Sequence, residues 1–150
     1  ALIDAAARPE VVHQAGEKHL AQLQENYREA GVQAHCAAFI DDMAAAYQWA
    51  DLVLCRAGAL TVAELAATGV ASVLVPFPYA VDDHQTANAR FLSRAGGATL
   101  LPQSELTPEA IGVLGNYSHA QLAQMAAQAH QLAKPEAAAD VARMCEELVQ

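Results

Sequence analysis

The stretch that decides the fold is "LVLCRAGALTVAELAATG", residues 52–69. An apolar run is followed by a turn that contains Gly58, and a helical pattern then begins at Thr61 and ends at Gly69. A buried strand that leads through a glycine turn into a helix is the repeating unit of α/β proteins. The rest of the chain contains further copies of this unit.

Short apolar runs alternate with helical patterns along the chain. Because the runs are apolar almost throughout, they are typical of strands that are covered on both faces of a parallel sheet. The predicted strands are 10–15, 34–39, 51–55, 72–77 and 98–102. The predicted helices are 17–31, 41–50, 61–69 and 82–97, followed by a short one from Thr107, a longer one over 118–133 and a last one opened by Pro135. The pattern predicts an α/β fold with a doubly wound parallel sheet in one domain.

Composition and charge limit the function. The chain is 54% hydrophobic with a net charge of −9, so it lacks the basic field that nucleic-acid binding requires. No apolar run is long enough to span a membrane, and no signal peptide is visible. The three scattered cysteines are interpreted as reduced core thiols. The opening "ALIDAAARPE" resembles a helix cut through its middle, which suggests a piece of a longer protein.

The loops that follow the strands carry the candidate site, since ligands of open α/β sheets bind beyond the carboxyl ends of the strands. After the third strand, Thr61-x-x-Glu64 matches a capping box. Alternatively, the N–H groups of Leu60 and Thr61 hold a pyrophosphate that Gly58 allows to approach, and Glu64 accepts hydrogen bonds from a ribose. The spacing alone does not choose between these interpretations.

Two neighbouring loops carry further candidates. His84, Gln85 and Asn88 lie at a helix start and suit recognition of sugar hydroxyls, although a capped, solvated helix start has the same composition. His84 as a general base is the less favoured hypothesis, because no activated nucleophile lies nearby in sequence. Ile40 and Met43 follow the second strand and either frame a flat base or belong to the core.

Several familiar motifs are absent from the sequence. It has no GxGxxG, P-loop or GxSxG motif, and its six histidines show no metal-ligand spacing. The sequence therefore predicts neither a metal nor a cofactor, and it argues against a redox dinucleotide domain.

The motifs of the three loops occur together in one known family. "FIDDMAAAYQWADLVLCRAGALTVAELAATG" and "VPFPYAVDDHQTANARFL" resemble the carboxyl-terminal donor-binding domain of the MurG family of N-acetylglucosaminyltransferases, most specifically between Phe39 and Leu92. The resemblance implies a Rossmann-like half of a two-domain glycosyltransferase-B fold. It also implies an inverting, metal-independent enzyme that moves N-acetylglucosamine from UDP-N-acetylglucosamine to lipid I. The product, lipid II, serves peptidoglycan synthesis and through it cell shape and division.

The resemblance assigns a part of the donor to each loop. The backbone of Ile40 pairs with uracil, the helix start near Thr61 lies under the diphosphate, Glu64 holds the ribose hydroxyls and Gln85 reads the sugar. The implied substrate-binding residues are Ile40, Met43, Ala59, Leu60, Thr61, Val62, Ala63, Glu64, His84, Gln85 and Asn88. No catalytic residue is expected among them.

The family's amino-terminal domain and the first strand of its donor domain, with a Gly-Gly-Ser loop, have no counterpart in this sequence. Because lipid I, the membrane surface and the candidate bases belong to that other domain, we expect a cytoplasmic donor-binding fragment that is inactive alone. The full-length enzyme is expected to be peripheral on the cytoplasmic face of the bacterial inner membrane. A UDP-sugar epimerase half and a non-catalytic nucleotide-sugar-binding module remain the alternatives.

Overall fold

A computed structural model describes residues 8–79 and 81–149 of the chain. Two compact units are present, one made of the residues up to Trp49 together with Thr107–Tyr117, the other of Ala50–Leu106 and the residues from Ser118 onward. We refer to them as the first and the second unit. The helix expected at the start of the chain falls largely on residues 1–7, which lie outside the described residues. The single domain expected over residues 1–150 stays a prediction.

Strands and helices alternate as the sequence predicts. The elements are β1 (Val12–Gln14), α1 (Glu17–Glu29), β2 (His35–Ala37), α2 (Met43–Trp49), β3 (Leu52–Cys55), α3 (Ala59–Thr68), β4 (Ala71–Leu74), α4 (His84–Ser93), β5 (Ala98–Leu100), α5 (Pro108–Leu114), α6 (His119–His130) and α7 (Ala137–Leu148). Short 3-10 turns cover Val81–Asp83 and Gln103–Glu105. The predicted α/β class with parallel strands is confirmed.

The first unit is built on a two-stranded parallel sheet. β1 pairs with β2 so that Val12 lies opposite His35 and Gln14 lies opposite Ala37. α1 connects the two strands, and Gly31 just beyond it has φ +63°, the left-handed conformation predicted for a residue that ends a helix. α5 is the short helix predicted from Thr107, and Thr107 caps it, because its hydroxyl accepts a hydrogen bond from the N–H of Ala110 at 3.2 Å.

The second unit contains a three-stranded parallel sheet in the order β3-β4-β5. Every residue of the central strand β4 is buried, and α6 packs against both β4 and α3 while α4 packs against β5. Fully buried leucines and valines from the strands and helices form its core; the largest are Leu65, Leu74, Leu92 and Val73. A short turn after β3 and a longer loop after β4 lead into α3 and α4, which places the start of both helices beside the same edge of this sheet.

Gly97 allows α6 to approach the sheet closely. A Cβ atom at this buried position would lie 2.7 Å from the backbone N and 2.8 Å from the Cα of Ala129 on α6. Real Cβ atoms do not come this close to backbone atoms, so a side chain here would push the helix away. Ser118 caps the same helix through a capping box with Gln121, as the sequence predicts for a helix that starts there.

Some boundaries differ from the prediction. α4 begins at His84 and not at Asp82, because residues 81–83 form a separate 3-10 turn. Pro135 precedes α7 by two residues and does not open its first turn.

All three cysteines are free, but Cys145 is exposed on α7, so the expectation of a core thiol is wrong for that residue. α7 is exposed along its whole length, including Met144 at 61% and Leu148 at 86%. Among the described helices, none combines the length and the apolar character that crossing a membrane requires.

Candidate functional site

The turn between β3 and α3 differs from the prediction in a way that matters for the site. α3 begins at Ala59, and the residue that precedes its first turn is Gly58, with φ −64° and ψ 147°. Thr61 is therefore the third helical residue, and the predicted capping box of Thr61 and Glu64 is wrong. Glycine is an acceptable residue at this position because it adopts the extended conformation that a helix start needs.

The start of α3 presents unused backbone donors. The first backbone hydrogen bond of the helix runs from the N–H of Val62 to the carbonyl oxygen of Gly58 at 2.9 Å. The N–H groups of Ala59, Leu60 and Thr61 have no partner in the helix, and no side chain among the described residues caps them. These three donors lie at the positive end of the helix dipole, an arrangement that binds anions.

The remaining residues predicted on α3 divide into a buried and an exposed group. The side chain of Val62 is 5% exposed and its N–H is used by the helix, so this residue is a core residue. Ala63 and Glu64 are exposed on the first turns. Burial, and to a smaller extent the carboxylate of Glu64, raises the pKa of the Cys55 thiol to about 11. Glu64 thus lies close to the end of β3, at the edge where the site is predicted.

Two amide side chains of α4 hold the loops that follow β3 and β4. Oε1 of Gln85 accepts a hydrogen bond from the backbone N–H of Phe77 at 2.9 Å. Nδ2 of Asn88 donates to the carbonyl oxygen of Ala57, in the turn before α3, at 3.0 Å. Both residues were predicted to contact the sugar. The structure places them at the edge of the sheet where α3 begins and shows that one polar atom of each holds a loop, and their contact with a sugar stays a prediction.

Two aspartates before α4 adopt an unusual backbone conformation. Asp82 and Asp83 have φ +53° and +52°, in the left-handed region that non-glycine residues rarely occupy. The carboxylate of Asp83 accepts a hydrogen bond from the hydroxyl of Thr86 at 2.6 Å and so remains linked to the first turn of the helix. His84, the first residue of α4, is exposed beside them.

Arg56 is a residue that the sequence reasoning missed. Its Nη1 donates to the carbonyl oxygens of Val75 at 3.3 Å and Pro76 at 3.2 Å, and its guanidinium carbon lies 5.5 Å from the centre of the Phe77 ring. Phe77 also makes an edge-to-face contact with Tyr79 at 5.7 Å. The available signal was a cation placed directly after an apolar strand in a strongly acidic chain.

Ile40 and Met43 belong to the first unit. The N–H of Ile40 donates to Oε1 of Gln14 at 2.8 Å, and Gln14 also lines an open groove of 450 Å³. Met43 is half-buried at the first position of α2, which Asp42 caps by accepting from the N–H of Ala45 at 2.9 Å. Their role beside a base stays a prediction.

The chain is similar to proteins of one family. The model of the glycosyltransferase family 28 C-terminal domain matches residues 2–143. A relative from Dechloromonas aromatica is 64% identical over 148 residues, which cover 99% of this chain and 42% of the relative. One from Azoarcus sp. is 62% identical over 144 residues, covering 95% and 40%. Both relatives are named UDP-N-acetylglucosamine--N-acetylmuramyl-(pentapeptide) pyrophosphoryl-undecaprenol N-acetylglucosamine transferase.

A solved structure supports the same relationship. The crystal structure of Acinetobacter baumannii MurG superposes with a TM-score of 0.86 at 44% identity, covering 92% of this chain and 43% of that one. The chain thus spans less than half the length of these relatives. Since the family model matches almost the whole sequence, the chain belongs to glycosyltransferase family 28 and carries the C-terminal domain of that family.

Proposed function

We propose that this chain is the donor-binding part of an N-acetylglucosaminyltransferase that transfers N-acetylglucosamine from UDP-N-acetylglucosamine to lipid I and so forms lipid II. The observation that carries the proposal is the 64% identity, over 99% of the chain, to a relative named for this transfer. The geometry of the second unit supports it, because the α3 start and the amides of α4 lie at one edge of a parallel sheet.

The diphosphate of the donor is the part that the second unit is best built to hold. We propose that its oxygens accept hydrogen bonds from the N–H groups of Ala59, Leu60 and Thr61. Each charge-assisted hydrogen bond contributes about 1.5–3 kcal/mol, and the helix dipole adds about 0.3–1 kcal/mol. These interactions strengthen as negative charge develops on the departing UDP, so they assist the transfer as well as the binding.

The other parts of the donor follow from this placement. Glu64 lies within the first turns of α3 and accepts hydrogen bonds from the ribose hydroxyls. Gln85 contacts the sugar from the start of α4, where His84 and Asn88 flank it. The role of Ile40 and Met43, which belong to the first unit, in contacting a uracil rests on the family resemblance alone. The acceptor lipid I, the catalytic base and the peripheral contact with the cytoplasmic face of the inner membrane belong, in this proposal, to the part of the relatives that the chain does not match.

Donor binding is tested on the chain itself. Titration with UDP-N-acetylglucosamine, followed by two-dimensional amide NMR, should shift the signals of residues 59–64 and of Gln85. UDP-glucose and GDP-mannose serve as controls, and both should bind more weakly because one lacks the acetamido group and the other the uracil. Absence of shifts at millimolar donor, or equal shifts with all three nucleotides, contradicts the proposal.

Transfer is tested in a chimera. The matched segment of the Dechloromonas aromatica relative is replaced by this chain, and the protein is assayed with UDP-N-acetylglucosamine and a lipid I analogue. Formation of the disaccharide product supports the proposal. A chimera that folds and binds donor but forms no disaccharide indicates a binding module, and release of the epimerised sugar nucleotide indicates an epimerase.

A further inference from the structure

Arg56 joins the two loops at the sheet edge of the second unit. It contacts three consecutive residues of the β4–α4 loop: it donates to the carbonyl oxygens of Val75 and Pro76 at 3.3 and 3.2 Å, and its guanidinium carbon lies over the ring of Phe77, 5.5 Å from the ring centre. We call this set of contacts the Arg56 clamp. Neither ion pair recorded among the described residues involves Arg56, so peptide carbonyls and an aromatic face compensate its charge.

The clamp ends at the residue that holds Gln85. The backbone N–H of Phe77 donates to Oε1 of Gln85 at 2.9 Å, which fixes the orientation of the amide because only its oxygen accepts a hydrogen bond. The Nε2 group, which can only donate, is then directed by the same contact. The position of this donor depends on Phe77, and the position of Phe77 depends on Arg56.

We propose that Arg56 is a positioning residue for recognition of the sugar, acting through Phe77 on Gln85. The inference rests on the proposed function, since it assumes that Gln85 contacts the sugar of the donor. Arg56 itself need not touch the ligand. Its part is to hold the loop so that Nε2 of Gln85 points at an oxygen lone pair of a sugar hydroxyl.

An arginine suits this role for a geometric reason. Nη1 carries two hydrogen atoms and so serves two carbonyls at once, while the delocalised charge of the guanidinium group lies over the ring of Phe77. A lysine ammonium group keeps the positive charge, but its compact charge does not hold the carbonyls and the ring at once in the fixed geometry of a guanidinium group. Arg56→Lys should therefore restore part of the function that Arg56→Ala removes.

The test compares affinities for UDP-N-acetylglucosamine and for UDP by titration calorimetry. We expect Arg56→Ala to weaken the binding of UDP-N-acetylglucosamine about fivefold, which corresponds to one lost hydrogen bond. The affinity for UDP should change less than about twofold. Arg56→Lys should lie between Arg56→Ala and the unchanged chain. Arg94→Ala removes the same charge from an exposed position of the second unit and should leave both affinities unchanged. Equal weakening of both ligands by Arg56→Ala overturns the proposal, since it indicates a direct contribution of charge at the diphosphate.

A double-mutant cycle tests the route through Gln85. Once Gln85→Ala has removed the amide, Arg56→Ala should cause no further loss of preference for UDP-N-acetylglucosamine over UDP. Additive losses overturn the proposal. If the unchanged chain fails to bind the sugar nucleotide, the proposed function fails instead.

The clamp also has a readout that needs no ligand. Hydrogen exchange of the Phe77 amide should become faster in Arg56→Ala, whereas exchange of buried β4 amides such as that of Val73 should not change. Unchanged exchange at Phe77 overturns the proposal whatever the ligand data show. Faster exchange throughout the second unit also overturns it, because it assigns Arg56 a general structural role.

Discussion

Replacing Gly58 by alanine should separate the effect on binding from the effect on folding. The backbone of Gly58, at φ −64° and ψ 147°, is accessible to every residue type. An added Cβ atom would have one neighbour, Oγ1 of Thr61 at 3.6 Å, which is an ordinary contact distance. The folded chain can therefore accept the methyl group without moving.

The expected change in stability is small because two effects oppose each other. Replacing glycine restricts the unfolded chain and stabilises the fold by about 0.4–1 kcal/mol. Alanine is a poorer residue than glycine immediately before a helix, which costs several tenths of a kcal/mol up to about 1 kcal/mol. The free energy of unfolding, measured by urea denaturation, should thus stay within about 1 kcal/mol of that of the unchanged chain.

The expected change in binding is large. The methyl group would be added at the residue immediately before the three unused N–H groups of α3, on the approach where we place the diphosphate. Loss of one charge-assisted hydrogen bond, about 1.5–3 kcal/mol, corresponds to roughly 10- to 150-fold weaker binding of UDP. Calorimetric titration with UDP measures this directly. An affinity that stays within twofold of that of the unchanged chain refutes the placement of the diphosphate at Gly58.

Three further predictions follow from the same geometry. Gly97→Ala, the matched glycine change away from the site, should lower the free energy of unfolding by about 1–3 kcal/mol, because its Cβ would lie 2.7 Å from the backbone N of Ala129. If urea denaturation shows no loss of stability, the close approach of α6 is contradicted. Glu64→Ala should weaken the binding of uridine diphosphate about tenfold, as expected for lost hydrogen bonds to a carboxylate, but should not change the affinity for an analogue without the ribose diol. Equal losses of affinity for both ligands, measured by calorimetry, contradict the ribose role. The pKa of Cys55 is raised from 9.0 to about 11, so this thiol stabilises the fold fully below pH 9 and the contribution is lost as the pH rises through about 11. Glu64→Gln should lower this pKa, yet leave it above the usual value because burial is the larger cause, and site-resolved alkylation against pH measures it; an unchanged pKa contradicts the proximity of Glu64.

Signals that depend on neighbours in sequence predicted the fold well. Each predicted strand is present, and the caps at Thr107 and Ser118 occur where hydroxyl residues precede helices. Such caps join groups three residues apart, so the local sequence contains the whole interaction. The predicted start of α3 was wrong for two reasons. The pattern Thr-x-x-Glu fits the inside of a helix as well as its first turn, and Gly58 has no side chain that could mark the start.

The contacts of the site could not be read from the sequence. The hydrogen bond between Gln85 and Phe77 joins residues 8 positions apart, and the one between Asn88 and Ala57 joins residues 31 positions apart. Both depend on how α4 packs beside the sheet, and tertiary packing of this kind leaves no periodic pattern. The residue types at the edge were predictable, whereas the atoms that hold the loops, and the role of Arg56 in holding them, were not.

An uncapped helix start does not by itself indicate a ligand, since α1 and α4 also lack a side-chain cap. α3 differs from them because of its surroundings. It follows a glycine with an ordinary backbone conformation and little around its Cβ position, and the preceding turn is held by both Arg56 and Asn88. In a chain of net charge −9, a diphosphate needs a rigid group of local donors, because the long-range field of the protein repels it. A side-chain cap, worth about 1 kcal/mol, would have occupied one of those donors. Without a cap α3 is slightly less stable, and all three donors stay open for the proposed diphosphate.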